Sequence, residues 1–128
     1  PGLVVFRYDS PLFFANADDF RVRALAAVRH ERARAAGLGI EEPRWLLLNA
    51  EAIVEVDSTA VDALEDLRVE LESHGVLLAL ARVKSELRGD LQRSGLLGHL
   101  GTDRVYPTLP TALAGYRAWR AEQGPLSD

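Results

Sequence analysis

Residues Arg44 to Ala60 read RWLLLNAEAIVEVDSTA, and two structural periods meet inside them. The WLLLN run, within Arg44–Ala50, is continuously apolar up to its final amide. A short run of that kind fits a strand buried on both faces. Beyond Ala60, Val61, Leu64, Leu67 and Leu71 recur at helical spacing, while Asp62, Glu65, Asp66 and Glu72 fill the opposite side. This is the clearest amphipathic helix in the chain. Thr59 and Asp62 fit the S/T-x-x-D/E capping pattern, and Gly75 is the expected stop. Ile53–Val56 reads as a brief continuation of the strand or as a turn. A buried strand passing directly into an amphipathic helix is the signature of an α/β layer structure.

The same alternation extends in both directions. Upstream, Leu3–Tyr8 (LVVFRY) is a β-branched and aromatic run that predicts a strand. Asp9-Ser10-Pro11 is turn chemistry, and Leu12–Ala15 predicts a second short strand. Asn16 is placed to cap a helix, with Asp18 and Asp19 in its first turn where the helix dipole favours acids. Phe20–Ala36 is helical by propensity more than by periodicity. Gly37 and Gly39 are its expected end, and a loop follows to Pro43. Downstream, Val76–Val83 (VLLALARV) predicts a buried strand, and Ser85 is placed to cap a short helix through Leu87 and Leu91 to Gly95. Leu96, Leu97 and Leu100 form one more apolar turn. Arg104–Tyr106 predicts a last strand, and Thr108 with Pro110 starts a final helix that Gly124-Pro125 stops.

The resulting order is β-β-α-β-α-β-α-β-α: a mixed, largely parallel sheet carrying crossover helices, with the two opening strands available as an antiparallel pair. Residues 1–128 read as one domain, with a core over about 3–122 and a polar tail over 123–128.

Composition limits the function classes. The chain has 128 residues, 48% of them apolar, and a formal charge of −4 from 15 basic and 19 acidic side chains. That is enough for one core, and too acidic for a typical nucleic-acid binder. No cysteine is present, which removes disulfide and thiol chemistry. The longest stretch free of Asp, Glu, Lys and Arg is Val105–Tyr116, shorter than a membrane-spanning helix requires. Arg7 and Asp9 follow the first apolar run too closely for a signal peptide. A soluble globular unit is expected.

The motif record is mostly negative. There is no G-x-x-x-x-G-K-[ST] phosphate loop, no G-x-G-x-x-G fingerprint and no G-x-S-x-G elbow. Gly95, Gly98 and Gly101 read as helix stops. The corner Asp57-Ser58-Thr59 remains, at a helix start where unpaired N–H groups and the dipole favour an anion. Its hydroxyls are also candidate phosphoacceptors. The plainer reading makes all three ordinary capping residues. Arg21, Arg23, Arg29, Arg32 and Arg34 make the first helix locally basic. They read either as a face for anionic lipid or as a solvated face paired with Asp18, Asp19 and Glu31.

Pro11-Leu12-Phe13-Phe14-Ala15-Asn16, together with the Asp57-Ser58-Thr59 corner, resembles the STAS domain of SulP-type anion transporters. Gly95-Leu96-Leu97 and Val105-Tyr106-Pro107-Thr108 resemble the family's closing pattern, so the match runs from about Leu3 to Trp119. Two positions depart from it: Ala60 stands where a glycine usually follows the triplet, and Asn49 where an aspartate is common. The resemblance implies a non-enzymatic regulatory and interaction domain, on the cytoplasmic face of the membrane. Its implied partners are the transmembrane region of the same transporter, a second STAS domain or a cytosolic regulator. It implies no required cofactor. It does suggest weak binding of guanine nucleotide, GTP or GDP, at Ser58 and Thr59, with Lys84 or Arg88 from the next strand-to-helix junction. The same fold serves anti-sigma-factor antagonists, which implies an alternative: a free-standing switch phosphorylated at Ser58.

Overall fold

The computed structural model describes residues 2–10, 12, 15–53, 57–100 and 104–123. The elements run β1 (Leu3–Arg7), α1 (Ala17–Leu38), β2 (Trp45–Asn49), α2 (Ser58–Ser73), β3 (Leu77–Ala81), α3 (Ser85–Ser94), α4 (Leu96–Leu100), β4 (Val105–Tyr106) and α5 (Leu109–Glu122). The strands lie in the order β1-β2-β3-β4, and each neighbouring pair is parallel. The register aligns Arg7 with Asn49 and Asn49 with Ala81, so the first three strands end in one row.

All five residues of β2 are buried, and the pleat divides them between two cores. Leu46 and Leu48, with Leu78 and Leu80 of β3, join Phe20, Ala24 and Val28 of α1 and Leu64, Leu67 and Leu71 of α2. Trp45 and Leu47, with Ala79 and Ala81, face Ala112 and Tyr116 of α5 instead. The second core is aromatic. The Trp45 ring meets Tyr116 edge-on at 5.3 Å and Trp119 at 5.6 Å, geometries that add modestly to area burial. Small alanines on β3 let α5 approach. On β1 the same face is incompletely covered, and Val5 is 52% exposed.

Several boundaries differ from the sequence expectation. Of the expected strand over Leu12–Ala15, only Leu12 and Ala15 are described: Leu12 forms an isolated bridge and Ala15 already turns toward α1, while residues 11, 13 and 14 lie outside the described residues. Gly37 does not end α1. It lies inside the helix, and Gly39 closes it at φ 66°, in the left-handed region that glycine adopts freely. Asn16 occupies the N-cap position but its side chain caps nothing; its amide donates to Ser10 Oγ at 3.2 Å instead. Ser85 is the first residue of α3 and not its cap, because Lys84 holds the extended N-cap backbone. The apolar turn at Leu96–Leu100 is a short helix. At α5 the sequence reading holds: Thr108 and Thr111 form a reciprocal capping box with proline in the first turn. The expected stop at Gly124-Pro125 and the Val54–Val56 part of the expected turn lie outside the described residues.

Candidate functional site

β2 and β3 are adjacent and parallel, so the junctions into α2 and α3 open on the same edge of the sheet. Ligands of α/β sheets sit at that carboxyl edge. Asp57 is the N-cap of α2, with extended backbone, and its Oδ1 accepts from Ala60 N at 2.8 Å. Its carbonyl accepts the first intrahelical bond from Val61 N at 3.0 Å. The cap is therefore Asp57, and the expected Thr59–Asp62 pattern is not used. The reason is geometric: with Asp57 extended, its carboxylate reaches the third helical amide, and Thr59 already has helical backbone.

This leaves the side chains of Ser58 and Thr59 on the exposed first turn of α2, a turn that contains no acid. The next residue, Ala60, is fully buried, and its methyl group joins the larger core. At the neighbouring junction Lys84 and Arg88 are both exposed, and Arg88 N donates to Lys84 O at 2.8 Å. The topology brings Asp57, Ser58 and Thr59 to one sheet edge with Lys84 and Arg88. Two helix N-termini, two hydroxyls and two cations then share that edge with two carboxylates, Asp57 at the cap of α2 and Glu86 in the first turn of α3.

Asn49 is buried at the end of β2, and its Oδ1 accepts from Glu51 N at 3.1 Å. A neutral amide makes this turn without placing a charge in the core, where ionisation is costly. It also fixes Glu51, a residue to which the sequence reading gives no role. The Glu51 carboxylate lies between two arginines: Arg7 Nη1 donates to Oε1 and Arg82 Nη2 pairs with Oε2, each at 2.8 Å. Arg7 also pairs with Asp9. Arg82 has φ 60° and is the one described non-glycine residue in the left-handed region. The only sequence signal for the cluster is the Asn-x-Glu spacing after β2.

Beside Arg7, a cleft of about 270 Å3 is lined by Phe6, Tyr8, Ser10, Asp19 and Arg23, among others. The Tyr8 hydroxyl donates to Asp19 Oδ2 at 2.9 Å, and that bond, with Arg23, holds the Asp19 carboxyl below its ordinary range. Burial, reinforced by Asp19, pushes the Tyr8 phenol up. On the basic helix, Arg21, Arg23 and Arg34 are ion-paired to Asp18 and Glu70, Asp19, and Glu31 respectively. Arg32 donates to the His74 carbonyl. For Arg21, Arg23 and Arg34 this geometry favours the solvated, paired reading; Arg29 is exposed and in no ion pair among the described residues. No helix among the described residues is long and apolar enough to cross a membrane.

The STAS domain family model matches residues 1–112. A probable sulfate transporter of Mycobacterium tuberculosis is 50% identical over 117 residues, 91% of this chain but 20% of that protein. Among solved structures, a sulfate transporter family protein from Wolinella succinogenes superposes with a TM-score of 0.70 at 29% identity, covering 94% of this chain and 88% of that one. The STAS domain of a SulP transporter from Vibrio cholerae gives 0.69 at 25% identity, covering 94% and 85%. The chain thus spans about a fifth of the length of the curated relatives it matches.

Proposed function

The chain belongs to the STAS domain family, and from that membership we propose that it is the regulatory and interaction module of a SulP-type sulfate or anion transporter. It works at the cytoplasmic face of the membrane, against the transmembrane region of the same protein. The observation that carries this reading is the 50% identity maintained across 91% of the chain with a fragment of a probable sulfate transporter. That likeness also favours the transporter reading over the free-standing antagonist phosphorylated at Ser58. The module contributes no catalytic step. It presents a rigid sheet-and-helix surface to the transport region, to another STAS domain or to a cytosolic regulator. A change in charge or occupancy at its ligand edge then shifts the balance between transporter conformations.

The edge that does this is the Asp57–Thr59 corner, with Lys84 and Arg88. A guanine nucleotide, GTP or GDP, places its phosphates at the exposed N-terminus of α2, where Ser58 and Thr59 donate hydrogen bonds and the two cations balance charge. Binding is weak, because no glycine-rich loop wraps the phosphates. Titrating GTP and GDP into 15N-labelled protein is expected to give saturable amide shifts at Ser58, Thr59, Lys84 and Arg88. No shift up to millimolar nucleotide would remove the nucleotide from this reading. The transporter assignment is tested separately by the coding sequence upstream of Pro1: roughly ten hydrophobic spans are expected, and a reading frame without any overturns it.

A further inference from the structure

The row of strand ends that aligns Arg7, Asn49 and Ala81 carries a second cluster of chemistry. Arg7 is the last residue of β1 and Arg82 follows the last residue of β3, so they flank the end of the central strand β2 from its two sides. Each donates to a different oxygen of one carboxylate, Glu51, at 2.8 Å. The carboxylate is held in place from behind, through its own backbone N–H to the buried Asn49 side chain. Arg82 adopts its left-handed backbone at φ 60°, while its N–H donates to Tyr106 O at 3.0 Å. Strain of this kind persists where the surroundings over-determine it, and it concentrates at ligand sites.

We propose that Arg7 and Arg82 form an oxyanion-binding site whose resident occupant is the Glu51 carboxylate, and that sulfate or hydrogen phosphate competes with Glu51 for it. Two guanidiniums at the ends of separate strands, converging on two oxygens of one group, are the recognition geometry for a carboxylate or a tetrahedral oxyanion alike. A tetrahedral dianion presents the same pair of oxygens with twice the charge. The three side chains are between 35% and 47% exposed, so an ion can enter from solvent and Glu51 can leave toward it. Asp9 stays on Arg7 throughout. Displacing Glu51 frees its side chain from both neighbouring strands, while the Ala50 N–H bond to Ala81 O and the buried Ile53 keep the backbone after β2 in place.

The test is titration of the 15N-labelled chain with sulfate, with phosphate, and with chloride at matched ionic strength, following the Nε–H signals of Arg7 and Arg82. Three proteins are compared: the natural chain, Glu51→Gln and Arg82→Gln. Glu51→Gln keeps the side-chain length and the backbone bond to Asn49 but removes the competing charge. It is expected to bind sulfate or phosphate at least tenfold more tightly than the natural chain, with saturable shifts at both arginines. Arg82→Gln is expected to lose the response of the natural chain at Arg7. The sulfate and phosphate arms show which oxyanion the site prefers. Equal affinity in the natural chain and Glu51→Gln, a response that chloride reproduces, or a response that survives in Arg82→Gln would each overturn the proposal.

Discussion

The ring of Tyr106 lies directly over Gly115: a Cβ built on that glycine would overlap the phenolic oxygen and fall 2.6 Å from Cε1. Tyr106 in turn packs on Trp45 at 6.3 Å, so the contact fixes how closely α5 sits on β3 and β4. Gly115→Ala gains about 1 kcal/mol of helix propensity but forces an overpacked contact costing about 1–3 kcal/mol. A net loss of stability is expected. Gly89 in α3 is the control. A Cβ there meets only the far end of the exposed Arg93 side chain, at 3.1 Å, so Gly89→Ala is expected to stabilise by up to ~1 kcal/mol. Denaturant unfolding followed by tryptophan fluorescence gives both signs, because Trp45 and Trp119 both lie in the α5 core.

Asp57 and not Thr59 closes the first turn of α2. Asp57→Ala is expected to cost about 1 kcal/mol, or roughly 3–6 °C in Tm for a domain of this size. Thr59→Ala, at an exposed position without that bond, is expected to stay within about 0.5 kcal/mol of the natural chain. Equal losses in the two variants would show that the hydroxyl shares the capping work. Thermal unfolding by circular dichroism makes the comparison.

At Arg82 the backbone and the side chain pull in opposite directions. Both Arg82→Ala and Arg82→Gly remove the pair with Glu51, an exposed pair worth less than about 1 kcal/mol. Only glycine relieves the left-handed conformation, which costs an ordinary residue about 1 kcal/mol. Arg82→Gly is therefore expected to be the more stable of the two variants by about 1 kcal/mol. The reverse order, measured by urea unfolding, would mean that the left-handed turn is not kept in solution.

Acid sensitivity is expected to come in part from α2. Glu65 is held below the ordinary carboxylate range, first by its hydrogen bond to Arg68 and further by His99 of α4, against the opposing effect of burial. His99 Nδ1 lies 3.2 Å from Glu65 Oε1. The folded pKa is depressed, so the stabilisation is complete above the unfolded carboxylate's pKa of about 4.3. It is lost as pH falls from there through the folded value. Glu65→Gln is expected to flatten the dependence of stability on pH below about pH 5. An acid limb as steep as that of the natural chain would remove Glu65 from the account.

The local sequence determined a good deal by itself. WLLLN fitted a strand covered on both sides, and the spacing of Val61, Leu64, Leu67 and Leu71 fitted a helix laid on a core; of these, Val61 proves half-buried and Ala60 takes the fully buried place beside it. Thr108 and Pro110 announced the start of α5, and the Asp57–Thr59 triplet announced a strand-to-helix corner. These features are written in residues within a turn or two of one another, where propensity, period and capping act. The buried face of α1 was illegible because Ala17, Ala24 and Ala35 supply much of it, and alanine does not mark a face as leucine does.

Tertiary structure alone decided which strand ends meet. Arg7, Glu51 and Arg82 are spread over 75 positions of sequence and converge only because β1, β2 and β3 pair in parallel and in register. Tyr106 finds Gly115 for the same kind of reason, through a helix packing back on its own sheet. Local sequence carries the free energy of making each element. The contacts between elements depend on which apolar faces are buried together, and that is settled only when the whole chain folds.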